Sequence, residues 1–210
     1  MALTNLSAAS TGTKKKFERI EDGTYVARIA QLIDLGVQED EYEGERKVGH
    51  KIFVTFEFPT ETINIDGEEK PRWLGKEFNV SIHEKSTLTK LVQSADPEGK
   101  FTVKGRNLKG LMGLPLMITV GSTKTGNAKV STVARLMKGM SVAELAKDPV
   151  FFDLDGKDLD TFEIFPQWIK DKITNSIDFE DTLFSKVLLK KEVHASPSGA
   201  VEDMEDDRPY

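Results

Sequence analysis

Residues 23–37, GTYVARIAQLIDLGV, decide how the rest of the chain is read. Tyr25, Ile29, Ile33 and Leu35 fall on one parity, and Val26, Ala30 and Leu32 on the other. A strand with one buried face is apolar at alternate positions only. Apolar residues on both parities, with β-branched content and a break at Gly36, describe a long, curled strand. Downstream, residues 38–49 are charged and read as a loop or hairpin tip. HKIFVTFEFP (residues 50–59) then alternates, with Ile52, Val54, Phe56 and Phe58 facing a core and Pro59 ending the strand. Asp66-Gly67 signals a hairpin turn. The next strand, WLGKEFNVSI, puts Leu74, Phe78, Val80 and Ile82 inward and Trp73, Gly75 and Glu77 outward.

The period then changes. Ser86 can cap a helix carrying Leu88, Leu91 and Val92, closed by Pro97. A short helical segment, NLKGLMG, precedes two further strands, LPLMITVGS and AKVSTVARLM, joined by the turn TKTGN. Five strands with a helix between the third and fourth is the order of an OB-fold barrel, so the expected class is mainly β. Residues 17–138 form this domain. Residues 1–16 read as a disordered basic N-terminus and 190–210 as a disordered acidic tail. Between them, 139–189 reads as a helical extension on the barrel, with short helices at Ser141 and after Pro166.

The charge is uneven along the chain. Residues 46–138 hold sixteen Lys/Arg against nine Asp/Glu, a balance of +7 inside a chain of net −6. Such a body suits a polyanion. Cations for phosphates and flat rings for bases are what a single-strand binder needs. Lys51, Phe53, Lys70, Arg72, Trp73 and Lys76 lie in or beside the second and third strands, and Lys100, Lys104, Arg106 and Lys109 follow the helix; these are the expected DNA-binding residues. Phe53 can stack on a base or pack under the C-terminal helices, and Trp73 can stack or close the barrel rim.

Catalytic patterns are missing. The chain has no cysteine, which removes disulfides, thiol nucleophiles and thiolate metal sites. His50, His83 and His194 are scattered, and no phosphate loop or nucleophile elbow is present. Asp153, Asp155, Asp158 and Asp160 surround Gly156 with alternating oxygen ligands, but the spacing departs from the EF-hand rule. They read as a solvated acidic turn. No metal, cofactor or enzymatic activity is expected, and no apolar run is long enough to span a bilayer.

The tail EDDRPY resembles the tip of bacterial single-stranded DNA-binding proteins, an acidic run before a proline and a terminal aromatic. Asp206 and Asp207 match the acids, Pro209 and Tyr210 the last two places, while Arg208 replaces a hydrophobic residue. Through GTYVARIAQLIDLG, HKIFVTFEFP, FNVSIHEKSTLTKLV and FPQWIKDKI the body resembles a tailed-phage family of single-stranded DNA-binding proteins. The resemblance implies an OB-fold protein that coats single-stranded DNA during phage replication or recombination, in the cytoplasm of the infected bacterial host. Asp206, Asp207, Pro209 and Tyr210 would then recruit a phage or host DNA polymerase, helicase or recombination nuclease, and the protein could form a homo-oligomer. The rival readings are a metal-dependent nuclease using Asp153, Asp155 and Asp158, and an adaptor or structural protein that binds only proteins.

Overall fold

The structure, a computed structural model, describes residues 19–42, 44–81, 83–105 and 107–195. Arg106 and the tail residues Asp206, Asp207, Pro209 and Tyr210 lie outside the described residues. Six strands build one sheet: β1 (Gly23–Tyr42), β2 (Glu45–Ile65), β3 (Glu68–Asn79), β4 (Pro115–Ser122), β5 (Ala128–Ala134) and the short β6 (Val150–Phe152). The helices are α1 (Thr87–Ala95), α2 (Leu159–Glu163), α3 (Gln167–Thr174) and α4 (Leu183–Ala195).

Helix α1 sits between β3 and β4, as the sequence indicates, and Ser86 caps it by accepting from Thr89 N–H at 3.0 Å. The expected closed OB barrel is not what forms. The strand path is β3-β2-β1-β4-β5, antiparallel throughout, and its two end strands share no ladder. Across that seam the Lys76 ammonium of β3 donates to the Val130 carbonyl of β5 at 3.1 Å. The sheet is curled and open, and the fold is a mixed α/β domain. With the barrel goes the reading attached to it, an OB-fold single-stranded DNA-binding protein of phage replication and recombination.

Strand β1 explains the curl. Its register with β2 slips between Ile29 and Gln31 and again between Asp34 and Gly36. One extra residue in a strand moves every later side chain to the other face. Ala27 and Ile29 therefore enter one core, while Ile33 and Leu35, on the same sequence parity, enter another. Leu32 returns to the first core. The two apolar faces of β1 are thus two cores separated by the sheet.

The first core joins Ile52, Val54, Phe56 and Phe58 of β2 with Phe78, with Leu88 and Leu91 of α1, and with Leu116 and Ile118 of β4. Val80 does not join it; it lies past the end of β3 and is exposed. The second core is rich in phenylalanine. Phe152 of β6 meets Phe165 and Phe184 edge-on, at centroid distances of 5.3 and 4.9 Å, and Phe162 lies 6.0 Å away. Strand β6, which no periodicity announces in three residues, pairs parallel to β1 and delivers Phe152 there.

Three local readings change. The charged stretch after residue 37 is mostly ladder, Gln38–Tyr42 of β1 on Glu45–His50 of β2. Pro59 does not end β2. The register jumps between Phe58 and Thr62, so the proline sits in a bulge where no ladder bond is asked of it, and the hairpin continues to Asp66-Gly67. Both turn residues take positive φ, 54° and 90°, as a two-residue hairpin turn requires. Residues 141–149 are an extended strap rather than a helix. The Arg28 guanidinium donates to the Val142, Ala143 and Gly113 carbonyls, and Glu57 accepts from Ala146 N–H. Those bonds replace the ones a helix would make.

Candidate nucleic-acid interface

Glu57 of β2 and Trp73 of β3 are directly opposed in the ladder. Only 1% of Glu57 is exposed. One of its carboxylate oxygens accepts from the Trp73 indole N–H at 2.9 Å, the other from Ala146 N–H of the strap at 2.9 Å. A buried carboxylate that holds two N–H donors is satisfied by them, and each donor is fixed in return. The Trp73 ring is pinned by its edge, yet 43% of the residue remains exposed. That combination separates it from an ordinary core tryptophan.

Trp73 lines two clefts. The larger, about 680 Å³, runs under the β2–β3 hairpin arm. Ile63, Ile65, Pro71 and Leu74 give it an apolar wall, and Arg19, Lys70, Arg72 and Lys147 bring cations. Glu69 is the exposed acid in the lining, and Glu68 pairs with Lys70 at 3.0 Å. On the other side of Trp73 a cleft of about 340 Å³ is bounded by Phe53, Gly75, Ile164 and Trp168. Trp168 is also nearly half exposed, and it meets Phe53 edge-on at 5.1 Å. Phe53 lies across Gly75, where a Cβ would stand 2.1 Å from the ring, so glycine is what lets the ring lie flat on β3.

The other expected site residues scatter. Lys51 is buried and spent on Asp40 and Glu77. Lys76 bridges the open seam and lies 5.6 Å from the Phe78 ring centre. Burial first, and Lys129 second, pull its ammonium below the ordinary value. Lys100 is exposed and paired with Glu98 at 2.6 Å. Lys104 is exposed in the loop after α1, and Lys109 stands 5.6 Å over Phe151. Of the ten, Lys70, Arg72 and Trp73 share one cleft, and Phe53 joins Trp73 at the other. Arg19, Lys147 and Glu57 escaped the sequence reading. Arg19 and Lys147 lie far from β3 in sequence, and an outward glutamate on a strand looks like solvent-facing polarity.

Two carboxylates of the acidic turn at 153–160, Asp153 and Asp158, accept hydrogen bonds from neighbouring residues. Asp158 caps α2, accepting from the Thr161 N–H at 2.9 Å and the Thr161 hydroxyl at 2.6 Å, which lowers its pKa. Asp153 accepts from Asp155 N–H at 2.8 Å. Among the described residues no group of three or more His, Asp or Glu is placed to hold a metal. Among them, too, no helix is long and apolar enough to cross a membrane.

Comparison with protein-family models, with curated proteins and with solved structures gave no match for this chain. Membership of the tailed-phage single-stranded DNA-binding family is corrected on the open sheet, which lacks the barrel that family implies. The partners drawn from that family, single-stranded DNA in a barrel groove and replication enzymes on the tail, fall with it.

Proposed function

We propose that this chain is a non-catalytic binding protein for nucleic acid with unpaired bases, held at the Trp73 clefts. The observation that supports this most directly is the pinned, exposed Trp73 ring between an aromatic cleft and an apolar cleft edged with cations. A nucleotide offers a flat ring and a phosphate. The ring finds a stacking partner whose orientation is already set, so little side-chain freedom is lost on binding. Phosphates find Arg19, Lys70, Arg72 and Lys147. This ligand needs no barrel, and it is not limited to one sugar. A cytoplasmic location belongs to the same proposal.

The test is a titration of labelled oligo-dT, oligo-rU and a duplex at two salt concentrations, with the wild type and Trp73→Ala. Log affinity should fall with log salt at a slope of about 0.7 per phosphate contacted on single strands. Trp73→Ala should cost roughly 1–3 kcal/mol of binding. The chain holds two tryptophans, so the quenching that oligonucleotide causes should shrink to the Trp168 share in the variant. Unchanged affinity of folded Trp73→Ala, or preference for the duplex, would sink the reading.

A further inference from the structure

Strand β5 joins the Trp73 cleft to a second cleft at its other end. Ala128, its first residue, lines the 680 Å³ cleft. Arg135 and Leu136, just past its last residue, line a cleft of about 360 Å³ with Lys100 and Phe101. Between them the exposed positions of β5 are Lys129, Ser131, Thr132 and Ala134. Ser131, Thr132 and Ala134 are small, and Lys129 is a cation that a phosphate can meet. Ser131 sits at a register slip against β4, which turns consecutive side chains, Ser131 and Thr132, outward. Lys76 and Lys129 add positive charge beside this floor, and Arg135 extends it.

The far end is a rigid post. Phe101 is 59% exposed. The backbone that carries it is held firmly: buried Asp96 accepts from the N–H groups of Lys100, Phe101 and Thr102 and from the Thr102 hydroxyl, at 2.8–3.0 Å. The same loop keeps Val103 at φ 50°, a left-handed conformation that a β-branched residue adopts only under constraint. An exposed ring on a fixed backbone offers a face on which a base can stack. Glu98 is the exposed acid here, and it is already neutralised by Lys100 and Arg135.

We infer that an unpaired nucleic-acid strand, once stacked on Trp73, runs along the outer face of β5 and stacks again on Phe101; the path rests on the Trp73 reading. From Ala128 to Arg135 the strand spans about 24 Å at about 3.4 Å per residue. The rise of about 3.4 Å per nucleotide of a stacked strand sets an upper bound of about seven nucleotides, and a strand with splayed bases takes fewer. Affinity therefore grows with length up to about that size and then levels.

The experiment compares oligo-dT and oligo-rU of about three and about ten nucleotides, against wild type, Trp73→Ala, Phe101→Ala and Arg135→Glu. Both path variants alter exposed side chains, and circular dichroism verifies that they fold. Phe101→Ala should weaken the long oligonucleotide roughly five- to a hundred-fold and leave the short one unchanged. Arg135→Glu should reduce the salt dependence for the long oligonucleotide only. If short and long bind wild type equally, or if both path variants bind the long one as wild type does, the path is wrong while the Trp73 site stands. If the short oligonucleotide does not bind, or binds Trp73→Ala as well as wild type, the underlying reading fails and the path fails with it.

Discussion

Glu57 is the residue on which the site turns, because one carboxylate fixes two things at once. It holds the indole of Trp73 and the backbone of the strap at Ala146. Glutamine at this position offers one oxygen and one NH2 group. The NH2 would face an N–H donor, leaving a buried donor unsatisfied at a cost of about 1–3 kcal/mol. Glu57→Gln should therefore lose about that much stability in urea. The loss should be clearly smaller in a Trp73→Phe background, where one donor is already gone. Equal losses in both backgrounds would show that Glu57 does not pin the ring. Arg28, directly across the ladder from Glu57, works the same way on the strap's carbonyls. Neither residue reads as special in sequence. Each is a charged residue on a strand, and its partners on the strap are some ninety to a hundred and fifteen positions away.

At the scale of elements, the β1–β2 ladder carries a titratable joint. His50 Nε2 lies 2.6 Å from the Asp34 carboxylate, beside the second β1 bulge. Its pKa is raised above 6.5, first by that hydrogen bond and then by the charges of Asp34, Asp178 and Asp153, with burial opposing. A histidine with a raised folded pKa binds its proton more tightly when folded. The stability it adds is complete below the unfolded value and is lost as pH rises through the folded one. The advantage of wild type over His50→Gln should thus be greatest at acidic pH and decline as pH climbs past about 6.5. Urea titrations across that range check it; an advantage that grows with pH would contradict the sign. The elements themselves were legible to different degrees. The alternation in β2, the Asp66-Gly67 turn and the Ser86 cap all show in local sequence. The strap at 141–149 looked helical because its residues have helical propensity, and Arg28 and Glu57 override that propensity from another part of the chain.

For the whole molecule, the governing fact is that β1 serves both cores. Phe152→Ala removes a ring packed on Phe162, Phe165 and Phe184 and should cost about 3–5 kcal/mol. Because Ile33 and Leu35 of β1 lie in that core while Ile29 and Leu32 lie in the other, the loss should lower the unfolding midpoint of the entire fold. In a Trp73→Phe background, Trp168 fluorescence reports the second core and far-UV circular dichroism the sheet. The two curves should coincide, in wild type and in Phe152→Ala alike. Separate transitions would mean that the cores are independent.

The sequence by itself determined the central stretches of the first five strands, the first helix and its cap, the Asp66-Gly67 turn, and the basic middle of an acidic chain. These follow from side-chain period and local backbone chemistry, which act over a few residues. It also placed Lys70, Arg72 and Trp73 together, since they are neighbours in one strand. Only the tertiary structure decided that the sheet stays open, that Lys51 is spent in ion pairs, and that Arg19 and Lys147 reach the Trp73 cleft. A bulge at one position in β1 reassigns every side chain after it, and whether two end strands meet in a ladder depends on the curl of the whole sheet. Both are settled by contacts between residues distant in sequence, and no local pattern of apolar and charged residues carries them.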